Sequence, residues 1–281
     1  MLAAVYALLS SLAWGSSDFL AGLESRRATA LGAAVVSQIA AAGGAALVLL
    51  VVWPAPPSAA AVVPALLGGV ASAIGALSQY RALTLTRMGV VAPVVAAAAL
   101  VPVAWGIARG EQPSVIQFVG IGFAVLGIVL ISRPGPAREG ERSHTNRTGV
   151  ALAVLAGVAY GLLMVSLDYG GEADPYWAVT TLRCSGAVCL VAVVLAWRPA
   201  LRVLPRALPS LIVVGLLLVA ANTLFTAATA IGYLSVVGVL AWLAPAVTIA
   251  WAWAILHERL RPLQWLAATL ILAGVICLAL G

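Results

Sequence analysis

Ala45-Ala46-Leu47-Val48-Leu49-Leu50-Val51-Val52 closes an apolar run that begins at Ala30. A strand of a membrane barrel alternates apolar and polar side chains over about 10 residues. This run does not alternate, and it is about twice that length. A helix of about 20 predominantly apolar residues crosses the hydrocarbon core, and in lipid it satisfies its own backbone hydrogen bonds. Residues 30–52 therefore predict one membrane-spanning helix.

The pattern recurs along the chain. Ten apolar stretches, roughly 2–21, 30–52, 62–81, 89–108, 113–132, 149–168, 175–197, 208–229, 234–256 and 263–280, are separated by short polar or Pro/Gly breaks. Of 281 residues, 63% are hydrophobic and 9% charged, against about 25% charged in an average soluble domain. So few charges cannot cover a surface in water. A water-soluble enzyme, a disordered chain and a coiled coil are excluded. The expected fold class is all-α integral membrane, with ten transmembrane helices.

All 15 basic residues are Arg, and the net charge is +6. They sit almost entirely between the apolar stretches, which favours topology determinants over nucleic-acid contacts. Numbering the nine connections in order, the odd ones carry thirteen Arg and the even ones only Arg109. Short Arg-rich loops stay in the cytoplasm, so both termini are expected outside. Cys184, Cys189 and Cys277 lie inside stretches and read as buried thiols, with no disulfide and no metal. The first 20 residues lack a basic leader and read as a retained helix.

The chain also repeats itself. Glu111 and Glu258, Gln117 and Gln264, and Gly127 and Gly274 are each 147 residues apart. Trp14-Gly15 and Tyr160-Gly161 correspond at 146; Tyr80, Ala82 and Thr84 correspond to Phe225, Ala227 and Thr229 at 145; Trp53 and Trp197 correspond at 144. The domains expected are a first repeat at 1–132, a polar Pro/Gly-rich connection at 133–148 and a second repeat at 149–281. Five spans per half is odd, so the second half enters the membrane inverted, a common construction of secondary transporters with a site near the midplane.

These residues resemble the drug/metabolite transporter superfamily, specifically its EamA-type ten-helix members. The resemblance rests on Trp14-Gly15-Ser16, Tyr80-Arg81-Ala82-Leu83, Pro245 thirteen residues before Glu258, and the Glu-x5-Gln-x9-Gly frames at Glu111 and Glu258. It implies two inverted five-helix repeats around a central cavity, residence in a bacterial inner (plasma) membrane, and transport of small metabolites, often amino acids or related compounds. The family's usual orientation keeps both termini in the cytoplasm, opposite to the Arg count here. The proline expected thirteen residues before Glu111 is replaced by Ala98, with Pro93 and Pro102 flanking it, so any kink in the fourth span should differ from that in the ninth.

Polar groups inside lipid are costly and commonly face a cavity or each other. Arg183 lies eight residues into the seventh stretch, about 12 Å deep at about 1.5 Å per residue. It resembles an arginine that family members often carry in this helix. As a cavity cation it would bind a substrate carboxylate or phosphate; as a structural group it would pair with an acid or an exposed carbonyl. Asp18 is the acid clearly within a stretch. It is a coupling carboxylate, a partner of Arg183, or an interfacial group paired with Arg26. Gln38, Gln79 and Asn222 suggest a polar-lined interior, although interhelical amides are commonly structural. Trp14, Tyr80, Tyr160 and Trp242 complete the candidate substrate-binding set. Glu111 and Glu258 read as helix-capping carboxylates.

The expected function is secondary transport of a small polar metabolite, with membrane lipid as environment, a proton or cation as the candidate coupling partner, and no cofactor. ATP-driven transport by a Walker loop is excluded, because that loop needs a Lys and the chain has none. An integral-membrane enzyme and a non-transporting membrane assembly protein are the alternatives.

Overall fold

A computed structural model describes the chain except residues 25–26, 56, 86–87, 132–146, 199, 257–261 and 281. The described residues form twelve α-helices: α1 (Leu2–Leu23), α2 (Ala30–Val52), α3 (Ala59–Leu85), α4 (Met88–Ala96), α5 (Leu100–Ala108), α6 (Val115–Ile131), α7 (Arg147–Ala173), α8 (Pro175–Trp197), α9 (Leu208–Thr229), α10 (Leu234–Ala241), α11 (Ala244–Leu256) and α12 (Pro262–Leu280). Eight helical runs are long and apolar enough to cross a bilayer, and α6 is a shorter apolar helix. Ser10, Ser11, Ser16, Ser17 and Asp18 leave α1 outside that group of eight, although it is 22 residues long.

Local sequence sets many of the ends. The Thr29 hydroxyl accepts from Gly32 N at 3.1 Å and caps α2. The Asp174 carboxylate accepts from Tyr176 N and Trp177 N at 2.9 Å and caps α8, with Pro175 in the first turn where its missing N–H is harmless. Ser114 and Gln117 form a reciprocal capping box at the start of α6. Both α2 and α8 stop on a residue in the left-handed region, Trp53 at φ 48° and Arg198 at φ 44°.

The fourth and ninth apolar stretches are each broken in the middle. The fourth passes through a 3-10 turn at Ala97–Ala99 between α4 and α5. The ninth turns at Trp242-Leu243 between α10 and α11. Pro245 removes the N–H that would bond to the Ala241 carbonyl, which accounts for the second break. The two breaks fall at equivalent places with different local geometry. In the first half it is Pro102 that withholds the N–H facing the Ala98 carbonyl, and the chain passes through the 3-10 turn there.

The helices pack in matching pairs. α1 lies along α9 and α3 along α7; α2 meets α9 while α3 meets α8; α6 lies along α12. Close approach depends on glycine at two related points. A Cβ on Gly15 would stand 2.5 Å from Val247 Cβ of α11, and one on Gly161 would overlap Val101 of α5. Helix association in lipid relies on such small-residue contacts.

The connections sort to two ends of the bundle. At one end the even connections touch: Trp177 Nε1 donates to Ala55 O at 2.9 Å. At the other, Thr29 N donates to Arg202 O at 2.8 Å and Leu204 N to Arg27 O at 2.9 Å, joining the first and seventh connections.

Candidate functional site

The α1 helix has two different faces. At about 100° per residue, Leu2, Val5, Leu9 and Leu12 form one stripe, and all four are exposed. Asp18 falls on the opposite side. It stands between Trp14, whose ring lies 5.9 Å from that of Phe225 in α9, and Gly15, which abuts Ala244 and Val247. The inward-facing Asp18 is nonetheless exposed. One turn further on, Gly22 faces empty space. Towards the N-terminus, Ala7 and Ser11 on the same face are buried. An exposed residue on an inner face lines an internal space. Asp18 and Gly22 therefore border an open space, here called the vestibule, at the end of α1 that joins the first connection, whereas the same face is packed at Ala7 and Ser11.

Three other spans bring candidate residues to this vestibule. The Tyr160 hydroxyl of α7 donates to Gln79 Oε1 of α3 at 2.8 Å. Its ring lies 6.1 Å from that of Trp242, at 45°. Gly15, three residues before Asp18, abuts Ala244, two residues after Trp242. Trp242 occupies the turn between α10 and α11, and its buried Nε1 has no hydrogen-bond partner among the described residues. Asp18, Gln79, Tyr160 and Trp242 thus converge from helices far apart in sequence, with Trp14 one turn from Asp18. The side chain of Tyr80 and the whole of Arg26 lie outside the described groups.

Arg183 belongs to a separate, buried cluster. It is 3% exposed. Its Nη1 donates to Gln38 Oε1 at 3.1 Å and its Nη2 to Leu218 O at 3.0 Å. Its Nε has no partner, and neither amide atom of fully buried Asn222 has one. Asn222 is one turn along α9 from Leu218. Among the described residues, Arg183 forms no ion pair, so Asp18 is not its partner.

A third cluster was not readable from spacing. At the even-connection end, Arg109 Nη1 lies 3.1 Å from Asp168 Oδ2 and 3.4 Å from Glu172 Oε1. The guanidinium also sits 4.3 Å above the Tyr169 ring, which Trp105 meets edge-on. Partial burial works against the Arg109 charge, but Glu172, Tyr169 and Asp168 outweigh it and its pKa rises. Beside it, Glu111 Oε1 accepts from Leu234 N at 2.7 Å and Oε2 from Ser235 N at 2.9 Å. Glu111 does cap a helix, but that helix is α10, 123 residues away, and not its neighbour α6. Glu258, its repeat counterpart, lies outside the described residues.

The EamA-like transporter family model matches the chain twice, over residues 1–133 and 147–280. A solved crystal structure superposes with a TM-score of 0.82 at 15% identity, covering 99% of this chain and 96% of the other. At that identity the likeness shows the fold alone. No curated protein sequence matches the chain.

Proposed function

Because the chain belongs to the EamA-like transporter family, we propose that it is a secondary transporter of a small polar metabolite, such as an amino acid or a related compound, working by alternating access around a midplane cavity. On this reading residues 1–132 and 149–281 are inverted five-helix repeats joined by 133–148, and ten spans cross a bacterial inner membrane. Exchanging the halves turns the α1–α9 contact into α7–α3 and the α2–α9 contact into α8–α3, and both contacts of each pair are present. The α6–α12 contact maps onto itself. Such a bundle rocks about its pseudo-two-fold axis.

The observation that carries the proposal is Asp18, exposed on the inner face of a helix within a vestibule that is shut at its far end. The closure is made by ties between the halves: Arg109 to Asp168 and Glu172, Glu111 to the start of α10, and Trp177 to Ala55. With the odd connections cytoplasmic and both termini outside, the vestibule opens to the cytoplasm. Breaking the ties and closing around Asp18 gives the opposite state.

The substrate-binding set we assign is Trp14, Asp18, Gln79, Tyr80, Tyr160 and Trp242, backed by Gln38, Arg183 and Asn222. The unpartnered Arg183 Nε, Asn222 Nδ2 and Trp242 Nε1 supply donors, and Asn222 Oδ1 an acceptor, once the halves shift. Asp18 takes the coupling proton or cation. Counterflow in proteoliposomes tests this. Saturable uptake of a small polar metabolite is expected, with Asp18→Asn and Arg183→Ala each cutting it at least ten-fold. Unchanged flux in both variants would overturn the site assignment.

A further inference from the structure

We propose that the group recognised at Asp18 is an organic cation, an amine or quaternary ammonium, whose charge pairs with the carboxylate while its carbon skeleton lies against Tyr160, Trp242 and Trp14. The inference rests on the transporter reading for the passage of the ligand, but not for its binding.

The argument is one of reachable charge. Three charged-type side chains lie within the neighbouring spans α1, α3 and α8. Arg183 is buried and holds two acceptors, Gln38 Oε1 and Leu218 O. Arg81 lies on the outer stripe of α3 with exposed Val63, Leu67, Val70 and Ile74. Asp18 alone of these three is both inward-facing and exposed, and among the described residues no ion pair engages it. The ionisable group that an entering solute meets is therefore an acid. An unpaired carboxylate surrounded by protein is unfavourable, and a cation relieves it.

The walls suit a cation as well. Tyr160 and Trp242 meet at 6.1 Å, and Tyr160 is fixed by its hydrogen bond to Gln79. Trp14 follows one turn away on the Asp18 face and is only partly buried. Aromatic faces attract ammonium groups within about 6 Å of the ring centroid. An anionic solute would meet the same ring faces and the same carboxylate, and both repel it.

Two probes of matched size separate the charges: phenethylamine, cationic at neutral pH, and phenylacetate, an anion. Binding to the purified full chain in nanodiscs is followed by intrinsic tryptophan fluorescence. Saturable phenethylamine binding is expected, at least ten-fold tighter than phenylacetate. Asp18→Asn should weaken it at least ten-fold and Asp18→Glu should restore most of it, with elution profile and melting temperature showing that both variants fold. Phenylacetate binding as tightly, absence of saturable amine binding, or an unchanged affinity in folded Asp18→Asn would each overturn the proposal. Flux in proteoliposomes separates the two readings. Transport of anions without amine binding sinks the cation assignment and leaves the transporter standing. Amine binding without flux of any solute does the reverse.

Discussion

Glu111 shows how one side chain joins distant parts of this chain. Its two oxygens take the first two N–H groups of α10, which have no partner within their own helix. A carboxylate there also meets the positive end of the helix dipole. Removing a cap of this kind costs about 0.5–2 kcal/mol. Glu111→Ala should therefore lower the melting temperature in detergent, and Glu111→Gln, which keeps one acceptor, should lower it less. Identical melting of all three forms would show that the cap contributes nothing. The capping role is legible in the residue type beside Pro113. The helix it caps is not, because the chain between them must fold before the start of α10, 123 positions on, arrives at Glu111.

At the scale of the element, the break between α10 and α11 is the feature to test. An uninterrupted helix would fill the space that the Trp242-Leu243 turn gives to the indole ring. Pro245 prevents it by withholding a backbone donor. Pro245→Ala restores that donor. Transport should fall several-fold while the melting temperature holds or rises, because the straightened span moves Trp242 away from Tyr160. Full flux in this variant would mean that the turn does not set the position of the ring. The matching break in the first half occurs without a proline at Ala98, through the 3-10 turn at Ala97–Ala99. A proline stands four residues beyond each break, Pro102 after Ala98 and Pro245 after Ala241, so the two breaks differ in the register of the proline and not in its presence. Both breaks were hidden in uniformly apolar stretches, since hydropathy reports burial in lipid and not the path of the backbone.

For the whole molecule, the proposed alternating access makes the ties at the even-connection end the contacts that must break. Arg109 belongs to the first half, and Asp168 and Glu172 to the second. On a background without Cys184, Cys189 and Cys277, Arg109→Cys with Glu172→Cys can be bridged by a short bis-thiosulfonate. Bridging should stop flux, and reduction should restore it; undiminished flux after complete bridging would mean that this end does not open. The sequence by itself determined where the helices form. The stretches 30–52, 175–197 and 208–229 coincide with α2, α8 and α9, because a backbone in lipid must bond within its own segment and local apolarity selects that segment. It also exposed the duplication through residue spacing. Only the tertiary structure decided that Asp18 faces an open vestibule, that Arg183 bonds to Gln38 and Leu218, and that Arg109 clamps α7. In each case the deciding quantity is the rotation of one helix against another, which is fixed by close contacts such as Gly15 on Val247 and Gly161 on Val101 between residues far apart in the chain.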